Sequence, residues 1–187
     1  MNVPQQPTRL RVLETADLTV TEIEAIRAIM RDAFGSDPEE AFTDDDWAHA
    51  LGGRHFVLDL DGGVVTHAAV VERELHIDGH PVRTGYVEAV ATAPAHDGRG
   101  YGSQVMEAAN AHIRERYELG ALGTGRRRFY ERLGWETWQG RAFVRGRDGL
   151  ERTPDDEGYI LVLRTPSSPP FDGTEALDCD WRPGDVW

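Results

Sequence analysis

The sequence predicts an α/β fold of the α+β type, with a mixed, mostly antiparallel central sheet and helices on its faces. Two observations favour this class. Several strand-like runs follow one another across tight turns, and single amphipathic segments interrupt these runs. The length of 187 residues is enough to bury a core and short enough to predict one domain, residues 1–187.

The first elements are a strand and two helices. Residues 9–13 have the composition of a strand, and Asp17 or Thr19 then offers an N-cap for a helix that ends at Gly35. Thr43 begins a second helix, with Asp46 at the capping-box position. The intervening segment 36–46 is rich in carboxylates and contains a proline, so it is predicted to be a surface loop.

A meander is predicted next. Residues 55–60, 64–76 and 81–92 have strand patterns and are separated by Asp-Gly turns, which favours three consecutive antiparallel strands. An amphipathic helix over 98–117 and a short strand over 118–122 follow.

The C-terminal third adds a helix over 126–133 and strands over 138–145 and 159–164. The last twenty residues are rich in Pro, Gly and Asp, but they include Trp181 and Trp187. These two tryptophans argue against a disordered tail.

The charge balance is acidic: 33 Asp and Glu against 20 Lys and Arg, a net charge of −13. Such a field repels phosphate backbones and attracts cations, which argues against nucleic acid as a partner, although solubility alone also explains it. No run approaches the roughly 18 apolar residues of a membrane span, and the first ten residues lack the apolar segment of a secretory leader, so we expect a cytoplasmic protein without a membrane partner. The single cysteine, Cys179, is interpreted as a buried hydrophobe rather than a nucleophile.

The segment between Val90 and Val105 is the most informative motif. A strand ends, a proline stops the ladder, and Gly98, Gly100 and Gly102 open a helix. Backbone amides at the positive end of a helix bind phosphates well, and Arg99 adds a full positive charge. A flexible turn would also explain the glycines, whereas a dinucleotide fold would need another spacing and alternating strands and helices.

The spacing Asp97-x-x-Gly100-x-Gly102 resembles the acyl-CoA loop of the GNAT superfamily of N-acetyltransferases, written Gln/Arg-x-x-Gly-x-Gly/Ala. The segment Arg128-Phe-Tyr-Glu-Arg-Leu-Gly-Trp135 resembles a later helix and turn of the same superfamily. Asp97 departs from the pattern, which puts a side-chain phosphate contact in doubt but leaves the backbone amides unchanged.

This resemblance implies the GNAT fold, a sheet of six or seven strands whose fourth and fifth strands splay apart to admit acetyl-CoA. It implies that the backbone of Val90 and Thr92 pairs with the pantetheine amides. The residues that hold the pyrophosphate would then be Gly98, Arg99, Gly100, Tyr101, Gly102 and Ser103.

Acetyl transfer to an amine needs a proton acceptor for the amine and an acid for the departing thiolate. Glu88 lies in an apolar run two residues before Val90, and strand alternation places the two side chains on one side. The GNAT resemblance makes Tyr130 the acid, although an aromatic core anchor is the other interpretation.

A narrower resemblance covers nearly the whole chain. The segments that carry it are Thr66-His-Ala-Ala-Val-Val, Gly85-Tyr-Val-Glu, Glu118-Leu-Gly-Ala-Leu, Arg152-Thr-Pro-Asp-Asp and the terminal nine residues from Cys179 to Trp187. They look like the aminoglycoside 2′-N-acetyltransferases. In that family the C-terminal carboxylate reaches the acceptor site, which implies the same role for the carboxylate of Trp187 and for a tail over about 166–187.

The same resemblance assigns further roles on the acceptor side. Glu88 would act through ordered water, and Asp46, Asp156 and Asp185 would bind substrate hydroxyl or ammonium groups. Thr124, in Gly123-Thr-Gly125, would replace a serine hydroxyl of the family, in a stretch that is about two residues shorter here. The acidic loop with Asp37, Glu39 and Glu40 is longer than the family pattern.

The resemblance implies acetyl transfer from acetyl-CoA to the 2′-amine of a cationic aminoglycoside, which confers resistance. Transfer is predicted to be direct because Cys179 lies in the tail and not in a nucleophile motif. The resemblance also admits relatives that acetylate kasugamycin, and the superfamily suggests a homodimer. No metal is expected. The alternatives are an acetyltransferase for another small amine, a polyamine or a protein N-terminus, and a non-catalytic sensor of acyl-CoA.

Overall fold

The computed structural model describes residues 8–35 and 41–187, so Asp37, Glu39 and Glu40 of the acidic loop lie outside the described residues. The described ranges contain four α-helices: α1 (Val20–Phe34), α2 (Asp44–Ala50), α3 (Tyr101–Arg116) and α4 (Arg127–Glu131). They also contain ten strands: β1 (Thr8–Glu14), β2 (Arg54–Leu60), β3 (Gly63–Ile77), β4 (His80–Thr92), β5 (Leu119–Gly123), β6 (Glu136–Thr137), β7 (Ala142–Gly146), β8 (Gly149–Arg152), β9 (Ile160–Arg164) and β10 (Leu177–Asp180).

Contacts divide the chain into two compact units. The first unit holds the described residues up to Val70 together with Glu88–Ala109, and the second holds Val71–Val87 together with Asn110–Trp187. Strands β3 and β4 each contribute to both units.

In the first unit, β1 pairs antiparallel with β2, and β2 pairs antiparallel with the first half of β3. Helices α1 and α2 contribute to its core because their apolar residues recur at helical spacing. The buried residues of this core are Leu18, Ile26, Ile29, Met30, Trp47, Ala50, Val57, Ala69 and Ala91.

In the second unit the strand order is β6-β9-β5-β4-β3-β10-β7-β8. The β4–β5 and β10–β7 pairs are parallel, whereas β5–β9, β6–β9, β10–β3 and β7–β8 are antiparallel. The β4–β5 ladder joins Thr84, Gly85 and Tyr86 to residues 119–121. A core of apolar side chains that includes Tyr86, Trp138 and Trp187 packs in this unit.

The helix starts follow the predicted capping chemistry. Thr19 is the N-cap of α1, and its hydroxyl accepts a hydrogen bond from the backbone N–H of Glu22. Thr43 caps α2, and the carboxylate of Asp46 accepts from the backbone N–H of Thr43 at 2.8 Å. The capping box predicted at Thr43 is therefore confirmed.

The predicted fold class is confirmed, but the sheet has more strands than the predicted six or seven. β6, β8 and β10 were not predicted, because two to four residues are too few to show a period. The predicted helix over 126–133 is shorter, since the N–H groups of Leu133 and Trp135 both donate to the carbonyl of Tyr130 and end it in a turn. Among the described residues, no helix combines the length and apolar character needed to cross a membrane.

Candidate active site

The turn between β4 and α3, in the first unit, has the backbone conformation of an anion-binding loop. Gly98 has φ +71° and Gly100 has φ +81°, values that favour glycine. A Cβ at either position would meet nothing within 4 Å, so conformation rather than crowding requires the glycines. The helix that follows begins at Tyr101, three residues after the predicted start at Gly98, because the positive φ values of Gly98 and Gly100 are not helical.

The amides at the start of α3 are available for an anion. The N–H of Gln104 donates to the carbonyl of Gly100 at 3.2 Å, which is the first bond of the helix. The amides that precede it in the first turn, those of Tyr101, Gly102 and Ser103, have no partner within the helix. Together with the positive end of the helix dipole they suit a pyrophosphate.

Asp97 has a local role in this loop. Its Oδ1 accepts a hydrogen bond from the N–H of Gly98 at 2.9 Å, so the carboxylate closes the turn on its own neighbour. Where the GNAT pattern has Gln or Arg, this loop therefore has a side chain that bonds to its own backbone. Arg99 is exposed beside it and supplies the positive charge.

Strand β4 has a bulge-like irregularity at Ala89, whose φ is +51°. Glu88 and Val90, on either side of it, are half-buried. A residue in the left-handed region interrupts the regular alternation of side chains along a strand. The prediction that Glu88 and Val90 lie on one side of β4 rested on that alternation. Further along the strand, the hydroxyl of Thr92 accepts a hydrogen bond from that of Thr66 at 3.2 Å.

In the second unit, the C-terminal residue is buried: Trp187 is 5% exposed. Its indole N–H donates to the hydroxyl of Thr153 at 3.1 Å. A Cβ built on Gly123 would lie 3.1 Å from both the carboxyl carbon and an oxygen of Trp187. The terminal carboxyl group therefore lies directly against the end of β5.

Acidic side chains accompany this terminus. Burial raises the pKa of Asp156 above its ordinary value, and the charges of Asp185 and Asp155 raise it further, while a hydrogen bond from Thr153 opposes them. Asp156 and Asp185 are thus close enough to repel each other. A bound cation would relieve this repulsion.

Tyr130 lies buried on α4. Its ring makes edge contacts with Phe129, at 4.9 Å between centroids, and with Trp135, at 6.1 Å. Burial raises the pKa of its hydroxyl far above the ordinary value, so the group stays protonated at neutral pH. A protonated phenol is the state that an acid catalyst needs.

Two predicted substrate residues have structural partners. The hydroxyl of Thr124 accepts a hydrogen bond from the N–H of Arg126 at 3.0 Å, which shapes the turn before α4. Asp46 uses Oδ2 in the capping box of α2. Asp46 belongs to the first unit, whereas Thr124, Asp156 and Asp185 belong to the second.

Some contacts were not anticipated from the sequence. Gly123 was quoted only as part of a turn, yet it adjoins the terminal carboxyl group. The guanidinium groups of Arg73 and Arg182 lie over the ring of Tyr86, at 4.5 and 5.5 Å from its centroid. A buried histidine, His67, donates a hydrogen bond from Nδ1 to the carbonyl of Ala89, and its position in an apolar run was the available indication.

The described residues also bear on metal chemistry and on thiol chemistry. Within residues 8–35 and 41–187, no group of three or more His, Cys, Asp or Glu side chains is arranged to hold a metal ion. Cys179 is buried, and burial raises its pKa to about 11. A thiol with this pKa is a weak nucleophile at neutral pH because it is almost wholly protonated.

Comparisons with known proteins identify the family of this chain. Residues 14–138 match the family described as an acetyltransferase (GNAT) domain. An aminoglycoside 2′-N-acetyltransferase of Mycolicibacterium fortuitum is 41% identical over 181 residues, which cover 95% of this chain and 91% of that protein.

Solved structures show the same fold at lower identity. YhbS of Escherichia coli, a GNAT family N-acetyltransferase crystallised with CoA, aligns with a TM-score of 0.68 at 20% identity, over 96% of this chain and 93% of that one. A GCN5-related N-acetyltransferase of Kribbella flavida aligns with a TM-score of 0.57 at 23% identity over 72% of this chain, which spans only 34% of that protein. The resemblance predicted from the loop and α4 is confirmed, and the chain belongs to the GNAT family of acetyltransferases.

Proposed function

We propose that this protein transfers an acetyl group from acetyl-CoA directly to an amine of an aminoglycoside, at the 2′ position, and so confers resistance. One observation carries the proposal. The match to the aminoglycoside 2′-N-acetyltransferase covers 95% of the chain, so it extends past the family domain at residues 14–138 into the C-terminal segment. That segment contains Asp156, Asp185 and Trp187.

The donor would be held by the turn before α3. The amides of residues 98–103 suit the pyrophosphate of acetyl-CoA, and Arg99 adds charge. The backbone of Val90 and Thr92 would pair with the pantetheine arm. Gly98 and Gly100 support this role because their positive φ values are typical of turns whose backbone amides bind anions.

The chemistry needs a base and an acid in addition to the bound donor. Glu88 would remove a proton from the acceptor amine through ordered water, and the neutral amine would attack the thioester carbon. The C–S bond would then break, and Tyr130 would protonate the departing thiolate, for which its protonated state is suitable. Transfer would be direct, since the buried Cys179 thiol is a weak nucleophile.

The acceptor would be held by carboxylates because it carries several ammonium groups. Asp156 and Asp185 repel each other in the second unit, and a cation between them would remove that cost. The carboxylate of Trp187 adds a negative charge against the end of β5. Asp46 and Thr124 complete the proposed binding set. An amine beside several carboxylates has a raised pKa, so a proton acceptor is needed.

The organisation of the protein is part of the proposal. Both units would serve a single acetyltransferase domain, with the tail from about residue 166 packing into the acceptor site. The protein would act in the cytoplasm as a homodimer, with neither nucleic acid nor membrane as a partner and without a metal. Kasugamycin is an acceptor to be tested because the turn at Gly123-Thr-Gly125 is short.

The experiment is a product analysis with an acceptor panel. The protein is incubated with acetyl-CoA and 2-deoxystreptamine aminoglycosides, kasugamycin, spermine or a peptide, and products are identified by mass spectrometry and NMR. We expect mono-acetylation of an aminoglycoside at the 2′-amine or its equivalent. A preference for spermine or the peptide would reject the acceptor assignment, and binding of acetyl-CoA without turnover of any amine would identify a sensor.

A further inference from the structure

A chain of hydrogen bonds runs through the buried interior of the first unit and ends at the irregularity in β4. The hydroxyl of Thr15 lies 2.7 Å from Nε2 of His55, and Nδ1 of His55 lies 2.9 Å from Nε2 of His67. Nδ1 of His67 lies 2.7 Å from the carbonyl oxygen of Ala89. Both imidazoles are fully buried, at 0% exposure.

The last hydrogen bond, from His67 to the carbonyl of Ala89, determines which atom is the donor in each of the others. A carbonyl only accepts, so Nδ1 of His67 must carry the hydrogen. Nε2 of a neutral His67 then accepts from Nδ1–H of His55, and Nε2 of His55 accepts from the hydroxyl of Thr15. The N–H of Gly52 donates to the same hydroxyl at 2.9 Å and completes the sequence.

Both histidines are neutral at physiological pH. Burial lowers the pKa of His55 to about 4 and that of His67 to about 3, where the adjacent His55 contributes further. Protonation of His67 would remove the acceptor that His55 needs, since an imidazolium has two donors and no acceptor. This series of hydrogen bonds therefore requires both His55 and His67 to be neutral and protonated at Nδ1.

The position of the last bond connects this chain to the proposed chemistry. Ala89, which receives it, stands between Glu88 and Val90 and has φ +51°. A non-glycine residue keeps such a conformation only where its surroundings hold it. The ring of Trp47 lies against both imidazoles, 6.0 Å from His55 and 6.1 Å from His67 between centroids, which fixes their planes.

We propose that His67 is a positioning residue for acetyl transfer: its Nδ1–H holds the carbonyl of Ala89 and so sets the orientation of Glu88 and the backbone of Val90. His55 and Thr15 act through His67 by fixing its tautomer. The roles of Glu88 and Val90 in transfer rest on the proposed function, whereas the state of the two imidazoles does not depend on it.

The first test measures the tautomers in the unmodified protein. With ¹⁵N-labelled histidine, long-range ¹H–¹⁵N spectra at pH 7 separate Nδ1–H from Nε2–H neutral rings. We expect His55 and His67 both to be neutral and protonated at Nδ1. An Nε2–H tautomer at His67 would overturn the proposal because Ala89 would then have no donor. A charged ring at His67 would overturn it because Nε2 could no longer accept from His55.

The second test compares two replacements of His67. His67→Asn keeps an N–H near the place of Nδ1, whereas His67→Leu has similar bulk and no donor. We expect His67→Leu to lower kcat at least about tenfold and to shift the acid limb of the kcat–pH profile. His67→Asn is expected to restore kcat to within about threefold of the unmodified protein.

A core truncation in the same unit provides the control. Leu58, in β2, is buried at 1% exposure and is absent from the hydrogen-bond chain, so Leu58→Ala lowers stability while the chain remains. We expect its kcat and pH profile to match those of the unmodified protein. Equal losses of kcat in Leu58→Ala and His67→Leu would reduce His67 to a general packing role and reject the proposal.

Failure of the proposed function would look different. If the unmodified protein acetylates no amine, the transfer assignment fails, but amide exchange at Ala89 and Val90 still reports on positioning. We expect exchange at both amides to be faster in His67→Leu than in His67→Asn at equal global stability. Unchanged exchange, or an Nε2–H tautomer of His67, would overturn the positioning role whatever the substrate.

Discussion

At the end of β5, Gly123 occupies a place that leaves no room for a side chain. A Cβ there would lie 3.1 Å from the carboxyl carbon and an oxygen of Trp187, closer than ordinary contact. We predict that Gly123→Ala displaces the terminal carboxylate and lowers kcat/KM for the acceptor at least about fivefold, or roughly 1 kcal/mol. Initial rates at varied aminoglycoside concentration measure this.

Gly125, two residues later, provides a matched control. A Cβ at Gly125 would meet nothing within 4 Å, so Gly125→Ala makes the same chemical change without the contact. We expect acetyl-CoA binding to be unchanged in both variants. If the two alanine variants lose acceptor kcat/KM equally, the terminal carboxylate does not contribute to the site.

Glu88 is tested by removing its charge alone. Glu88→Gln keeps the size of the side chain and abolishes its capacity as a base, so we predict a fall in kcat of at least about tenfold, or ~1.4 kcal/mol of transition-state stabilisation. Calorimetry should find acetyl-CoA affinity within about twofold of the unmodified protein. Glu151→Gln, on the exposed strand β8, is the control, and retained kcat in Glu88→Gln would exclude Glu88 as the base.

At the scale of elements, the segment before β10 is held by a close approach of two backbones. The N–H groups of Gln139 and Gly140 donate to the carbonyl of Gly173 at 2.8 and 2.9 Å, and the indole of Trp138 donates to that of Glu175 at 3.1 Å. A Cβ at Gly140 would lie 1.8 Å from the carbonyl oxygen of Glu175. Backbone atoms cannot give way as a flexible side chain can.

We therefore predict that Gly140→Ala lowers the free energy of unfolding by about 3 kcal/mol or more. Urea unfolding followed by tryptophan fluorescence measures the change. Gly146→Ala, at the end of β7, is the matched variant, because its Cβ would find its nearest atom at 4.0 Å. A Gly140→Ala midpoint equal to that of Gly146→Ala would show that this segment can move aside.

The long elements were accessible from sequence, and the short ones were not. α1 carries its period over fifteen residues and has a capping box at Thr19, so both its type and its start were predictable. β10 has four residues, and it is stabilised by β3 and β7 on either side rather than by its own pattern. Long-range pairing of this kind leaves no local periodicity in the sequence.

At the scale of the whole molecule, some features of the candidate site could be predicted from the sequence and others could not. The turn at Gly98 and Gly100 was predictable because both residues have a positive φ, which favours glycine. The contact of Gly123 with Trp187 joins residues more than sixty positions apart, and the hydrogen bonds from Thr15 to Ala89 join the residue after β1 to residues on β2, β3 and β4. Such contacts depend on tertiary packing, which a single sequence does not display.

The neutral histidines also make the stability of the whole protein depend on pH. Burial lowers the folded-state pKa of His55 to about 4 and of His67 to about 3, against an ordinary 6.5. Below pH 6.5 the two imidazoles therefore bind protons in the unfolded chain but stay neutral in the folded protein. Stability falls as pH drops from 6.5 toward 4, by up to about 1.4 kcal/mol per pH unit for each imidazole.

Several carboxylates also change how the unfolding free energy depends on pH, some of them in the opposite direction. The measurement must therefore isolate the effect of the imidazoles. Asp156 and Asp178 have raised pKa values, so the folded protein takes up their protons at a higher pH than the unfolded chain does, which opposes the loss of stability. Glu22 has a lowered pKa, so it reduces stability only below about pH 4.5. We predict that the difference in unfolding free energy between the unmodified protein and His67→Asn changes between pH 7 and pH 5, with the unmodified protein losing more. Urea titrations at four pH values in that window measure it. A difference independent of pH would mean that His67 accepts a proton in the folded state as readily as in the unfolded chain, which is incompatible with a buried neutral ring.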